Sequence, residues 1–325
     1  RVRIRAARLL AHAEGQEALQ GLIVALRDPF PGVRRQAALS LATLGDERAV
    51  PFLSRRLDRE KSPRVLAAAL HALGASAGAY AAQLPLPFLD HPMREVRAAA
   101  AAALGRLGDP SRRDALLSAL RYEPDDPGYT VRASILAALA RLRLAAEVRT
   151  AVDYLVAEGG MGHWLCRAAV AGAIGDAGLS DRAPFVRTLL EKERDPRVVA
   201  AAAGALARLG EREAVRRNLG HSAAVVRRAC LVALEDAGDA EALPSALALV
   251  RQDPDPAVRF EAALVLHRLR HPDADLYIVD ALRSHEPLFW ITALGALEKR
   301  HRRSFGRDPE AWSRWLKSKQ ARVRK

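Results

Sequence analysis

The stretch Asp28-Pro29-Phe30-Pro31-Gly32-Val33-Arg34-Arg35-Gln36-Ala37-Ala38-Leu39-Ser40-Leu41-Ala42-Thr43-Leu44-Gly45-Asp46 is rewritten along the whole 325-residue chain with changed side chains and steady spacing. With Val33 as an anchor, the equivalent positions are Val2, Val65, Val96, Val131, Cys166, Val198, Val226, Val258 and Phe289. Eight residues after the anchors stand Leu10, Leu41, Leu73, Leu104, Leu139, Ile174, Leu206, Leu234, Leu266 and Leu297, and the position at +4 is always Ala, Ile, Val or Cys. A period of about 31 or 32 residues marks a solenoid, whose units bury their apolar faces only against neighbouring units.

At about 100° per residue, offsets 0, 4, 8 and 11 fall within an arc of roughly 80°. That is one stripe on a helix and cannot be the alternation of a strand. Gly45, Gly108, Gly178, Gly210 and Gly238 follow the stripe, where a residue without Cβ closes a helix in the left-handed conformation. Asp46, Asp109 and Asp239 come next and can cap a following helix. Shorter apolar runs follow, such as Ala49, Val50, Leu53 and Leu57, or Leu116, Leu117 and Leu120, so each unit reads as a helix pair. Asp28-Pro29, His91-Pro92, Asp126-Pro127, Asp195-Pro196 and Asp255-Pro256 punctuate the pairs, because proline suits a helix start and breaks a helix interior. Alanine runs such as 98–103 and 200–203 let neighbouring helices approach closely.

The string from Asp28 to Asp46, echoed from His91 to Asp109, resembles the short HEAT-like repeat of phycobilin lyase subunits and deoxyhypusine hydroxylase. The resemblance implies an all-α fold, a right-handed α-α superhelix forming a HEAT-like solenoid of about ten helix pairs. The expected organisation is a repeat array over residues 1–298, its N-terminal pair incomplete, and a C-terminal capping helix with a basic tail over 299–325. A chain beginning at Arg1 on the second helix of a pair is expected to start inside a longer protein. A monomer is the accompanying expectation, and the compartment stays open, with the cytoplasm favoured.

The net charge of +13 is concentrated at the ends. Residues 1–10 hold four Arg and no acid, residues 299–325 hold eleven Lys or Arg against Asp308 and Glu310, and 11–298 is neutral with 36 residues of each sign. A uniformly basic groove for a phosphate backbone is therefore disfavoured, and nucleic acid stays an alternative partner through the basic termini. No apolar run is long enough for a membrane helix. Cys166 and Cys230 both sit on core positions of the repeat, as buried free thiols usually do.

Three features carry the candidate partner-binding residues. Offset 10, beside the apolar stripe, holds Arg106, Arg141, Asp176, Arg208, Asp236, Arg268 and Lys299, whose signs alternate from Arg141 to Arg268; side-by-side stacking would form a charge ladder, and the first six are the candidate partner-binding residues. The connection Glu158-Gly159-Gly160-Met161-Gly162-His163-Trp164-Leu165 offers His163 and Trp164 on the least repetitive loop. Trp312 and Trp315, at i and i+3 after the Asp308-Pro309 start signal, read as a cap on the last repeat. Arginine at offset 1 in seven units, from Arg3 to Arg259, is expected to bind loop carboxylates and carbonyls.

Deoxyhypusine hydroxylase builds an iron site from several His-Glu pairs, and this chain has only His285-Glu286. His267 and His271 have metal-ligand spacing, but Pro272 ends their helix and Arg268 stands where a zinc helix carries Glu. No metal, cofactor or catalytic residue is expected. The expectation is a non-enzymatic scaffold or adaptor for a protein partner; the alternatives are a nucleic-acid-binding, DNA glycosylase-like protein and a bilin lyase-like enzyme with a pocket near Trp164.

Overall fold

Residues 1–13, 15–121 and 129–323 are described by a computed structural model, and the regular elements among them are all helical. The Asp126-Pro127 boundary and the last two residues of the basic tail lie outside the described residues. The chain divides into two units, Arg1–Ala183 and Pro184–Lys325.

The first unit contains α1 (Val2–Leu10), α2 (Gln16–Ala25), α3 (Pro31–Leu44), α4 (Val50–Arg59), α5 (Pro63–Ser76), α6 (Arg94–Leu107), α7 (Arg113–Arg121), α8 (Thr130–Arg141), α9 (Ala145–Ala157) and α10 (Trp164–Asp176). Helices carrying the anchor positions pack in succession, α1 on α3, α3 on α5, α5 on α6, α6 on α8 and α8 on α10, while α2, α4, α7 and α9 back them. The start of α3 shows why its boundaries lie where they do: Pro31 needs no amide partner in the first turn, and Gly45 closes the helix at φ 62°. Asp46 then accepts the Arg48 amide at 2.9 Å and opens the next segment.

In the third repeat the expected second helix gives way to two short 3-10 turns, Ala79–Ala81 and Leu86–Phe88. Pro85 and Pro87 remove two amide donors from the segment, so no continuous α-helical ladder can form there.

The second unit contains α11, whose first residue marks the division (Ala183–Lys192), then α12 (Pro196–Arg208), α13 (Arg212–Arg217), α14 (Ala224–Asp236), α15 (Leu243–Gln252), α16 (Pro256–Arg268), α17 (Ala274–Ala281), α18 (Pro287–His301) and α19 (Pro309–Val323). Here α12 packs on α14 and α14 on α16, with α17 against α16, α18 and α19.

The apolar stripe is the seam of both units. From Leu41 to Leu297, every residue at offset 8 has no exposed surface, and so does every residue at offset 4 from Ala37 to Ala293. A fully buried Leu contributes about 1.5–3 kcal/mol relative to an exposed one, before chain entropy is counted. The first helix departs from the pattern: Val2 is 83% exposed and Ala7, not Ala6, is its buried residue. Small residues set the spacing between helices. A Cβ on Gly105 would lie 2.6 Å from the Ala138 Cα, and one on Gly74 would lie 3.0 Å from the Ala103 Cα, so α6 approaches α8, and α5 approaches α6, with no room for a methyl group.

The arginines at offset 1 tie each anchor helix to the loops. Arg34 donates to the carbonyls of Asp28 and Pro29 and, through two bonds of 2.8 Å, to Glu60 of the next loop. Arg227 repeats the arrangement on His221, Ser222 and Asp253. Arg97, Arg167 and Arg259 each grip the carbonyls five and six residues before them. One guanidinium thus fixes its own loop and, where a carboxylate follows, the next repeat as well.

Candidate functional site

All six candidate residues at offset 10 are exposed, but their side chains do not follow one rule. In the first unit, Arg106 donates to His71 Nδ1 at 2.7 Å across the α5/α6 step. Burial, and then the positive charge of the adjacent Arg141, lower the proton affinity of Arg106. His71 is pushed down by burial and then by Arg106, so the neutral ring accepts the arginine's proton. The step from Arg106 to Arg141 therefore sets like charges near each other, and the Arg141 side chain makes neither a hydrogen bond nor an ion pair among the described residues.

In the second unit the ladder is built one residue away from the expected register. Arg268 pairs with Glu235 through both carboxylate oxygens, and with Glu261 at 3.5 Å on its own helix. Arg228 joins Glu261 at 3.5 Å. Asp236, the residue that the sign alternation assigns to Arg268, instead lines a groove of about 450 Å³ with Arg208, Gly204 and Val232. Glu is one methylene longer than Asp, and it is Glu235 at offset 9 that takes the arginine.

His163 and Trp164 begin α10. The His163 ring accepts the Leu165 amide at 3.2 Å, acting as the N-cap, and it stacks on Tyr129 at 5.6 Å and lies 5.5 Å from the Trp164 ring. Arg132 lies over Tyr129. His91, His221 and His271 lie one step earlier, each accepting the amide of the residue that opens the following helix. These three imidazoles occupy the place that aspartate holds at Asp28 and Asp253, whereas His163 takes the N-cap place of Asp195.

Trp312 has no exposed surface; its indole donates to the Gly306 carbonyl at 3.0 Å and meets Phe305 edge-on. Trp315 packs edge-on against His301 at 4.9 Å. Both indoles thus join α19 to the end of α18.

A cluster not foreseen from the sequence lies between these elements. Asp275 on α17, 6% exposed, accepts from His267 Nδ1 at 2.6 Å and from His301 Nε2 at 2.8 Å, with Arg300 at 3.5 Å. Burial by itself would raise the Asp275 pKa; the His267 hydrogen bond and the charges of Arg300, His267 and His301 outweigh it and hold the carboxylate below its usual range. Because an ionised carboxylate only accepts, the bonds fix the tautomers: His267 carries its proton on Nδ1 and His301 on Nε2. His301 is pushed down by burial despite Asp275, and its Nδ1 accepts from Lys319 at 3.2 Å. Both rings line a cleft of about 880 Å³. His267 is eight residues from Asp275 and His301 is 26 residues beyond it. Spacing along one helix singles out the pair His267 and His271, whereas the observed cluster spans three helices and leaves no local signature.

The sequence profile of HEAT repeats matches residues 1–74, 56–140 and 216–298, well over half of the chain. The chain belongs to the HEAT-repeat family. Among curated proteins it is 38% identical over 117 residues to a phycocyanobilin lyase subunit alpha from Nostoc sp., a match covering 33% of this chain and 42% of that protein. The HEAT-repeat chain thus spans well under half the length of this relative. Among solved structures it is similar to the complex of CpcE and CpcF of phycocyanin lyase from Nostoc sp., with 22% identity, a TM-score of 0.42 and coverage of 88% of this chain and 96% of that one. Human deoxyhypusine hydroxylase in complex with glycerol is also similar, with 19% identity, a TM-score of 0.32 and coverage of 93% and 98%.

The match to a lyase subunit corrects the expectation that the chain is not an enzyme. That expectation rested on the lack of a local catalytic motif in the sequence. No described helix is long and apolar enough to cross a membrane.

Proposed function

We propose that this HEAT-repeat protein is a subunit of a lyase-type enzyme that binds a protein partner on the exposed face of its anchor helices. The observation that carries the reading is the 38% identity over 117 residues to a phycocyanobilin lyase subunit. Its substrate class would accordingly be a linear tetrapyrrole.

The exposed face supports the partner half of the reading. Arg106 and Arg141 are like charges at neighbouring steps of the first unit, with His71 as the one polar contact of that pair. An acidic partner surface would relieve their repulsion, an interaction that salt weakens. Arg208, Asp236 and Arg268 are exposed polar residues of the second unit, and the His163–Trp164 turn offers an aromatic contact in the first. In this reading α19, anchored by Trp312 and Trp315, caps the repeat array ending near residue 298.

The test is a titration of phycocyanobilin into the full chain, alone and with each purified candidate partner subunit, followed by visible absorbance. A saturable spectral shift at one pigment per complex is expected. If no shift appears with any partner, the lyase-type reading fails. Arg106→Glu with Arg141→Glu should weaken partner association about tenfold or more at low salt and leave the thermal midpoint unchanged; undiminished association would remove the ridge from the interface.

A further inference from the structure

The cleft beside the His267–Asp275–His301 cluster carries more positive charge than its surroundings neutralise. Its walls include Arg268, Arg270, Lys299, Arg300, Arg302 and Lys319, and no carboxylate lines it. Two of the six have acidic partners: Arg268 is held by Glu235 and Glu261, and Arg300 faces Asp275 from behind the cleft wall. The side chains of Arg270, Lys299 and Arg302 make neither a hydrogen bond nor an ion pair among the described residues. The ammonium of Lys319 meets a neutral imidazole and the Trp315 ring.

Cations at helix C-termini are favoured by the backbone dipole, and the cleft lies at the ends of α16 and α18. Each helix end presents about half a negative charge. Two ends therefore offset about one of the four remaining cations and leave an excess of roughly three. Placing that excess around one concave surface costs repulsion that a compensating anion would remove.

The backbone also commits residues to this arrangement. Arg270 and Arg302 both adopt left-handed φ, 59° and 52°, a conformation that glycine holds with less strain. In the equivalent closing turns of other repeats, Gly45, Gly108 and Gly238 stand at positive φ. At these two turns, and at Arg143 outside the cleft, the chain carries a guanidinium instead, and the two here share one concave surface. The Asp275 carboxylate meanwhile holds both imidazoles in place on the wall, with His301 accepting from Lys319.

We propose that this cleft binds a small oxyanion carrying two or more charges, a phosphate-ester or polycarboxylate group, between Arg270, Lys299, Arg302 and Lys319. At about 880 Å³ the cleft has room for such a group together with the organic body that carries it. This inference stands independently of the lyase-type reading, because no pigment or partner enters it.

The test is calorimetric titration of the full chain with inorganic pyrophosphate and with citrate, at ionic strength held constant with sodium chloride. The discriminating variant is Arg270→Gly with Arg302→Gly, which removes two charges while giving both left-handed positions the residue that suits them, so folding is expected to survive. The control, Arg5→Gln with Arg8→Gln, removes the same charge from the other basic end. One saturable site is expected, with a dissociation constant below about 1 mM, weakened about tenfold or more in the glycine variant and unchanged in the control. Preference for pyrophosphate identifies the phosphate-ester source, and preference for citrate the polycarboxylate one. Three results would overturn the proposal: no saturation by about 10 mM, equal weakening in both variants, or duplex DNA binding that pyrophosphate does not displace, which would make the cleft part of a polymer track.

Discussion

Replacing Arg227 by Met should be the most informative single perturbation of the repeat stack. Arg227 and Asp253 meet through two bonds of 2.7 Å, with side chains only 8% and 2% exposed. The substitution keeps much of the side-chain volume and leaves Asp253 buried with the Asp255 amide at 2.9 Å as its nearest remaining donor. The carbonyls of His221 and Ser222 lose a donor too. Breaking a buried pair from one side costs about 3–5 kcal/mol, and the loss belongs to the step between α14 and α16. Arg227→Met with Asp253→Leu removes both charges, leaving mainly two partly solvated carbonyls to lose about 1 kcal/mol each, so the double variant should be more stable than either single one. Urea unfolding followed by circular dichroism measures the three values, and hydrogen exchange on α14 and α16 amides locates them. Single losses below about 1 kcal/mol, or a double loss equal to the sum of the singles, would refute the view that this pair locks adjacent repeats. The pH dependence has a definite sign. Burial tends to raise the Asp253 pKa, but the Arg227 bond, the Asp255 amide and the charges of Arg227 and Arg259 bring it below the unfolded value. Its stabilisation is therefore present above about pH 4, the unfolded carboxylate's range, and is lost as pH falls through the lower folded value.

Gly105→Ala should destabilise the first unit by about 1–3 kcal/mol through overpacking against Ala138. Gly172→Ala, where an added Cβ meets nothing within 4 Å, should instead gain up to about 1 kcal/mol of helix propensity; thermal melts of the two variants should move in opposite directions. Trp312→Ala should cost about 3–5 kcal/mol and release α19, seen as new proteolytic cleavage after residue 308. The Cys230 thiol, raised by burial to about 12, should resist a disulfide reagent at pH 8 in the folded protein and react once urea unfolds it.

The seam was legible because it repeats: Leu41, Leu73 and Leu104 stand at one offset, and each is fully buried. Repetition also exposed the arginine locks, since Arg34 and Arg227 recur beside the same loop signals and close on Glu60 and Asp253. The third repeat escaped the rule because Pro85 and Pro87 override a pattern borrowed from its neighbours. Pairing on the exposed face was less readable. Helical spacing reports which face a residue shares, but not whether Glu235 or Asp236 reaches Arg268 across the gap, a choice made by one methylene and the offset between two helices.

The same reasoning explains why the candidate sites lie where periodicity is weakest. A position that helps stack repeats is constrained alike in every unit, so its identity reports stacking and little else. His267, Asp275 and His301 occupy no common offset, yet three helices bring them within hydrogen-bond reach. Arg270 and Arg302, like Arg143 in the first unit, stand at left-handed φ where glycine closes several other repeats, and these two carry charge into one cleft at some conformational cost. Deviations that spend local stability without improving the seam are where a repeat protein places its chemistry. On that argument Arg270→Gly with Arg302→Gly should leave the chain at least as stable as the parent while weakening anion binding. A substantial loss of stability in this variant would show that the two guanidinium groups serve the stack instead, and would return the cleft to the architecture.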